Sequence, residues 1–451
     1  MNAQPTITNI AGPWSAPDIN TYLGRCQIDT PSDLVDATWR KVLEKRPHYD
    51  LVIDLGAGDG RFAKAGRYSS YIGFEIDAER FGSSTLPDNA TIRHECAFSA
   101  PISGASLCIG NPPFVRNQDL PEGWREQIAA KLNRRSGIKI SGLANAWLYF
   151  FVQSLEITST DGVCALVVPF EWTSRPSAAA LRKRIIDEGW SVDVYRLCDR
   201  TFESVLTTSS ITIVDKGDRS GRWRYFELDR TGAERAIVSP TGTDQAMIAY
   251  GEGRGDRPAG RIRRGVSPGT QKVFVLTEST RARHGLRCGV DVVPCITSLR
   301  HLPREVNVLT CEVFERYYRS AGQRCWLLVP DRESTSPNWS AYVDSIDPVL
   351  HDTATCNERA NWWEYKMPEV PTALIATCFK GHSPKCTVNE FAVRAVGGVA
   401  GLHNLSALEA RRFVNKLSAT DLRPRIVPHA NGLFKCEIGQ LNRVLAELTD
   451  A

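Results

Sequence analysis

Asn111 closes an apolar run, Ser106-Leu107-Cys108-Ile109-Gly110, and is followed by Pro112, Pro113 and Phe114. An amide, two prolines and an aromatic ring at the end of a strand could together hold a planar molecule that carries an amine. The prolines fix φ and give up their N–H groups, so the loop is stiff and its carbonyls remain free to accept. Asn111 adds a side-chain carbonyl, and Phe114 adds a flat apolar face. Open α/β sheets place such residues at the rim where ligands bind. Taken alone, the stretch is as well explained by a proline turn after a strand. The choice rests on whether the chain supplies a second substrate.

Leu51-Val52-Ile53-Asp54-Leu55-Gly56-Ala57-Gly58-Asp59-Gly60 supplies the signal for one. Glycines after a short β-branched strand let the backbone turn sharply and approach a cofactor closely, and a helix is expected to follow. The next strand, Tyr71 to Asp77, carries Glu75 where a ribose carboxylate is usually found, about twenty residues on. A carboxylate there accepts ribose hydroxyls and disfavours a 2′-phosphate. The loop lacks the Gly-Lys-Ser/Thr of a phosphate cradle, which favours a nucleoside without phosphates over ATP.

These groups need a scaffold, and the chain alternates strand and helix in the βαβ manner. Strands are expected at Thr91–Cys96, Ser106–Gly110, Val163–Pro169, Val192–Leu197 and Ser209–Val214. Gly142–Thr158 is apolar around most of its circumference and suits a buried helix; Ala178–Ile186 suits another. Before the first strand, Thr30 could cap a helix with Pro31 at its first position.

The chain has 451 residues, 42% hydrophobic and 24% charged, which fits a globular protein of two domains. Its net charge of +4 permits a nucleic-acid partner without requiring one. No apolar run is long enough to span a bilayer, the N-terminus does not read as a signal peptide, and a cytoplasmic location is expected. Thirteen scattered cysteines suggest neither a disulfide framework nor a zinc knuckle. Cys378, His382 and Cys386 come nearest to a metal site, but ordinary packing accounts for them and no metal is expected. From residue 219 the composition shifts to Arg, Gly, Asp and Pro, and Arg254, Arg257, Arg261, Arg263 and Arg264 lie close together. They belong either to a solvated linker or to a surface that touches phosphates.

The set Asp54-Leu55-Gly56-Ala57-Gly58-Asp59-Gly60, Glu75-Ile76-Asp77, Gly110-Asn111-Pro112-Pro113-Phe114 and Val168-Pro169-Phe170-Glu171-Trp172 resembles the S-adenosylmethionine-dependent DNA adenine-N6 methyltransferases. The order, with the cofactor motifs first, is that of their gamma group, many of which belong to type II restriction–modification systems. Later stretches, Gly265 to Leu276, Asn361-Trp362-Trp363-Glu364-Tyr365 and His403-Asn404, look like the family's recognition domain. The resemblance implies an α/β fold: a Rossmann-like class I methyltransferase domain with a mostly parallel seven-stranded sheet, then a mixed α+β target-recognition domain. The boundaries expected are 1–218 for catalysis, 219–264 for an Arg/Gly-rich linker and 265–451 for recognition of double-stranded DNA.

It further implies that Asn111 and Pro112 orient the adenine amine through their carbonyl oxygens, and that Phe114 and Phe202 stack on a flipped base. Thr30, Asp54, Gly56, Gly58, Glu75, Ile76, Phe98, Asn111 and Pro113 would bind S-adenosylmethionine. The chain departs from the family pattern at Ala97, where relatives carry Asp to accept from the cofactor's amine, and Glu95 is a candidate substitute. The acidic residue common at the start of the fourth strand is absent, and the fourth motif ends in Phe rather than Tyr. Weaker cofactor binding is expected. A monomer is expected, and any cognate endonuclease would sit on another chain. Two alternatives stay open: methylation of adenine in RNA, and a catalytically weak DNA-binding subunit of the same fold. A protein-glutamine methyltransferase is disfavoured, because its small helical domain precedes the catalytic one.

Overall fold

The computed structural model describes residues 29–82, 85–99, 102–120, 123–142, 144–197, 209–229, 232–237, 260–426, 428–430 and 433–449. The chain forms two compact units, Met1–Asp244 with His429–Asn431, and Gln245–Pro428 with Gly432–Ala451.

The first unit is built on nine strands: β1 Tyr49–Leu55, β2 Tyr68–Glu75, β3 Ala90–His94, β4 Ala105–Gly110, β5 Thr158–Pro169, β6 Ser191–Leu197, β7 Ser209–Asp215, β8 Trp223–Leu228 and β9 Glu234–Ala236. They lie side by side in the order β3-β2-β1-β4-β5-β7-β6-β8-β9. The strands β3, β2, β1, β4 and β5 are mutually parallel, and β7 runs antiparallel to both its neighbours. Central strands of a parallel sheet are covered on both faces, so they read as unbroken apolar runs. Val52, Ile53, Leu107, Cys108, Ile109, Val163, Cys164 and Ala165 accordingly have no exposed surface. Helix Ser32–Leu43 covers one face with Leu34, Val35, Trp39 and Val42. The buried helix expected from the sequence is Ala146–Ile157; in it Phe151 meets Trp172 edge-on at 5.2 Å.

The sheet is the mostly parallel one expected of an α/β domain, with two strands more than the seven expected. The additional strands, β8 and β9, lie in the stretch whose composition suggested a linker. Their arginines are matched by carboxylates at the sheet's edge. Arg224 makes two bonds of 2.6 Å to buried Asp193, which Lys45 also reaches at 2.6 Å. Arg196 and Arg235 both pair with Glu227. Arg224 and Arg235 are exposed, yet each is paired with a carboxylate of a neighbouring strand.

The chain turns back at β1. It runs outward through β2 and β3, then returns to add β4 on β1's other side. The carboxyl ends of β1 and β4 thus flank a switch point, where loops diverge and leave a crevice.

In the second unit a five-stranded sheet has the order Arg261–Arg264, Val399–His403, Ala373–Ala376, Cys386–Asn389, Val308–Leu309. A four-stranded sheet contains Val292–Ile296 and Trp326–Leu328. Helix Ala407–Ala419 starts with a capping box between Ser406 and Glu409 and packs Phe413, Val414 and Leu417 into one core. Trp362 and Tyr365 meet Phe274 edge-on at 5.6 and 5.7 Å, and Trp363 meets Trp339 at 5.2 Å. Trp362, Trp363 and Tyr365 are thus partly buried against the unit's core, of which Phe274 and Trp339 are members.

Candidate active site

The β1–β2 turn carries the glycines. Gly56 and Gly58 have φ of +100° and +55°, where a side chain would be strained. The N–H groups of Gly56 and Ala57 both donate to the Phe74 carbonyl at 2.9 Å, which folds the loop back over the end of β2. Glu75 then fastens it. One carboxylate oxygen accepts from the Gly58 N–H at 2.8 Å; the other accepts from the N–H groups of Ile76 and Asp77 at 2.9 and 2.8 Å. A carboxylate offers roughly four acceptor positions, so about one remains for a ligand. The expected α-helix after the loop is a single 3-10 turn, Arg61–Lys64.

Asp54 lies behind this loop. It is 1% exposed, and Tyr71 donates to its Oδ2 at 2.7 Å. Burial, opposed by the Tyr71 bond and aided by the charge of Glu75, pushes its carboxyl up to about 7. Its Oδ1 has no hydrogen-bond partner among the described residues and faces the neighbouring strand's Gly110, whose φ is +152°. A Cβ on Gly110 would sit 2.3 Å from that oxygen, so only glycine lets β4 end here.

Asn111 follows. Its Nδ2 donates to the Thr30 hydroxyl at 3.1 Å, while its Oδ1 is buried without a partner among the described residues. Thr30 is not the helix cap that the sequence suggested: Pro31 occupies that position, and no side chain caps it among the described residues. The segment before the helix is tied down instead by Arg61, which donates to the Thr30 carbonyl at 2.8 Å and pairs with Asp29 and Asp59. Arg80 reaches the other oxygen of Asp29 at 2.8 Å.

Between these groups opens a cavity of about 1140 Å³, mouth included. Of the residues predicted to bind a cofactor, Thr30, Gly56, Gly58, Glu75, Ile76, Phe98, Asn111 and Pro113 line it, whereas Asp54 stays behind. The inner wall is aromatic: Phe98 meets Phe150 at 4.8 Å and Trp124 at 5.5 Å, both edge-on. Ala97, which departs from the family pattern, is on the wall, and so is Glu95. Buried Pro112 and half-buried Phe114 do not line this cavity.

Phe202, Arg254 and Arg257 lie outside the described residues. Arg261, Arg263 and Arg264 form an edge strand of the second unit's sheet rather than a linker, and Arg263 pairs with Glu369 at 2.7 Å. Backbone pairing with Val399–His403, centred on buried Ile262, is what holds this basic stretch in a sheet. Cys378, His382 and Cys386 are not drawn together as ligands: His382 bonds the Ser418 carbonyl at 2.7 Å, and the Cys386 thiol lies against Val414 and Ser418. Among the described residues no three His, Cys, Asp or Glu side chains gather as a metal site, and no helix is long and apolar enough to cross a membrane.

Sequence reasoning missed Asp29, Arg61, Arg80, Trp124 and Phe150. Arg61 had a local signal, since it follows the last glycine of the loop. Asp29 had one too, being next to Thr30; Arg80, Trp124 and Phe150 have none, because tertiary folding alone brings them to the cavity.

Two family descriptions match the chain. Residues 91–197 match Eco57I restriction-modification methylase, and residues 257–416 match Type II methyltransferase M.Eco57I, C-terminal domain. The Type II methyltransferase M.XamI of Xanthomonas campestris pv. amaranthicola is 24% identical over 419 residues, covering 85% of this chain and 77% of the relative. Among solved structures, the type I restriction-modification methyltransferase subunit from Streptococcus thermophilus gives a TM-score of 0.38 at 16% identity, over 45% of this chain and 47% of the other. The type IIG restriction endonuclease BpuSI gives 0.40 at 13% identity, over 96% of this chain and 62% of the other. The DrdV–DNA complex gives 0.45 at 10% identity, over 86% and 50%. The chain thus spans less than two thirds of each of these solved chains.

Proposed function

Starting from a chain that belongs to the methyltransferases of type II restriction–modification systems, we propose that it is a site-specific DNA adenine-N6 methyltransferase using S-adenosylmethionine. One observation carries this reading above the others: the glycine loop with Glu75 and the Asn111 end of β4 border a single cavity. A donor site and an acceptor site that share one space are what group transfer needs.

The cavity's own chemistry fits the cofactor. Its ionisable lining is Asp29, Asp59, Glu75 and Glu95 against Arg61 and Arg80, an acidic balance that suits a cationic nucleoside and repels a triphosphate. Gly56 and Gly58 leave room for close backbone approach, Glu75 and Ile76 suit a ribose and one face of a base, and Phe98 supplies an aromatic surface. When bound, S-adenosylmethionine supplies a methyl group on a positively charged sulfur. The protein's part is positioning. The amine of adenine is a poor nucleophile because its lone pair is spread into the ring. Acceptors at the Asn111 Oδ1 and the Pro112 carbonyl would draw that amine toward tetrahedral geometry and localise the pair. Phe114 and Phe202 would hold a base flipped from the duplex, by stacking worth roughly 1–3 kcal/mol per ring. The second unit would be the recognition domain, with Arg300, Arg304 and Lys380 as exposed cations for phosphates.

The test is transfer of labelled methyl to unmethylated DNA, to RNA and to release factor, with Asn111→Ala as control. Label in DNA alone, lost in the variant, is expected. Label in RNA alone would favour the RNA enzyme; cofactor binding with no label anywhere would favour the silent DNA-binding subunit.

A further inference from the structure

We infer that Thr30 is a positioning residue that sets the amide of Asn111, and that Arg61 ties this setting to the glycine loop. The inference rests on the methyltransferase reading of Asn111 and goes beyond a cofactor contact for Thr30. A primary amide can present either its oxygen or its nitrogen to a substrate, and the two faces have nearly the same shape. An amine donor needs the oxygen. In this chain Asn111 Nδ2 donates to the Thr30 hydroxyl at 3.1 Å, which turns the nitrogen toward Thr30 and the oxygen away from it. The oxygen is left buried without a partner among the described residues. An acceptor shielded in this way gains most from a donor that reaches it, so an amine arriving beside Asn111 is held there in preference to an apolar group.

Thr30 can do this only if it is held itself. It is 7% exposed, and its carbonyl accepts from Arg61 Nη1 at 2.8 Å. The same guanidinium pairs with Asp29 at 2.9 Å and with Asp59 of the glycine loop at 2.8 Å, while Arg80 secures Asp29 from the other side at 2.8 Å. A chain of contacts therefore runs from Asp59 through Arg61 and Thr30 to Asn111, and each of these four residues borders the cavity. The end of the cavity read as the donor site and the amide read as the acceptor site are linked by one arginine.

Thr30→Val keeps the side chain's shape and removes the acceptor; Thr30→Ser keeps the hydroxyl. In the full-length chain, Thr30→Val should lower turnover at saturating cofactor and DNA by about 10- to 100-fold, the scale of a misplaced reacting group. Any loss of cofactor affinity, measured by calorimetry, should be much smaller than the loss of turnover, and Thr30→Ser should restore most of the turnover. The Asn111 side-chain amide signals, followed by NMR with isotope-labelled protein, should shift in Thr30→Val and stay near wild type in Thr30→Ser. Weaker cofactor binding with unchanged turnover at saturation would make Thr30 a cofactor contact alone and overturn the inference. So would unmoved Asn111 signals in Thr30→Val, or a serine variant as slow as the valine one. If the wild-type chain binds cofactor and methylates no DNA, the functional reading fails, while the amide signals still report on the Thr30–Asn111 bond.

Discussion

Asp54 is the acidic side chain whose chemistry the fold changes most at this site. Its carboxyl is pushed up to about 7 chiefly by burial, so it is neutral in the folded chain below that pH and ionised in the unfolded chain above about 4. Between those values unfolding releases a proton, and the folded state loses stability as pH rises through the window, levelling above 7. Asp54→Asn should abolish this slope. Chemical denaturation at pH 4.5 and pH 8 should show the variant gaining on wild type at the higher pH; a constant difference would mean that the carboxyl is ionised throughout. Ala97 makes a second case. Ala97→Asp should tighten cofactor binding by about tenfold, as one charge-assisted hydrogen bond would. Unchanged affinity in calorimetry would indicate that Glu95, on the same wall, already serves.

Among the elements, the pairing of β1 with β4 decides the site. Gly110 lets Asp54 and Asn111 occupy adjacent strand ends, because a side chain there would meet Asp54 Oδ1 at 2.3 Å in a backbone conformation unfavourable to it. Gly110→Ala should destabilise the fold by about 1–3 kcal/mol and displace Asn111, so that thermal unfolding and cofactor affinity fall together. A variant with wild-type melting would show that the strands part without cost. The two strands and their ends were legible in the sequence, since apolar runs ending in Gly-x-Gly and Asn-Pro-Pro announce them, but that β1 and β4 are neighbours emerges only from the fold. The strands β8 and β9 were not legible. Their arginines gave the segment a solvated composition, and only the tertiary pairing of Arg224 with Asp193 and of Arg235 with Glu227 shows those charges to be structural. The same limit hid Arg61's part: its sequence neighbours name the loop, but nothing local says that it reaches Thr30.

On the scale of the whole molecule, the cavity of the first unit and a second, mixed α+β unit suit the proposed enzyme that reads a polymer. Arg304 is exposed, lies 3.3 Å from His382 Nδ1 and has no carboxylate partner among the described residues; Lys380 is exposed nearby in sequence. If these cations meet phosphates, Arg304→Ala with Lys380→Ala should weaken DNA binding. The slope of log affinity against log salt should then become shallower by about one for each phosphate no longer neutralised. Wild-type slope in the double variant would place the phosphate-binding cations elsewhere.

The central claim is that Asn111 and Pro112 act on the amine of adenine in DNA. It is tested most directly by digesting DNA modified by the full-length chain and identifying the methylated nucleoside by mass spectrometry, with Asn111→Ala run in parallel. N6-methyladenine from the wild-type chain, and a loss of at least about a hundredfold in the variant, is the expected result. A methyl group on any other base, or N6-methyladenine formed equally by Asn111→Ala, would contradict it.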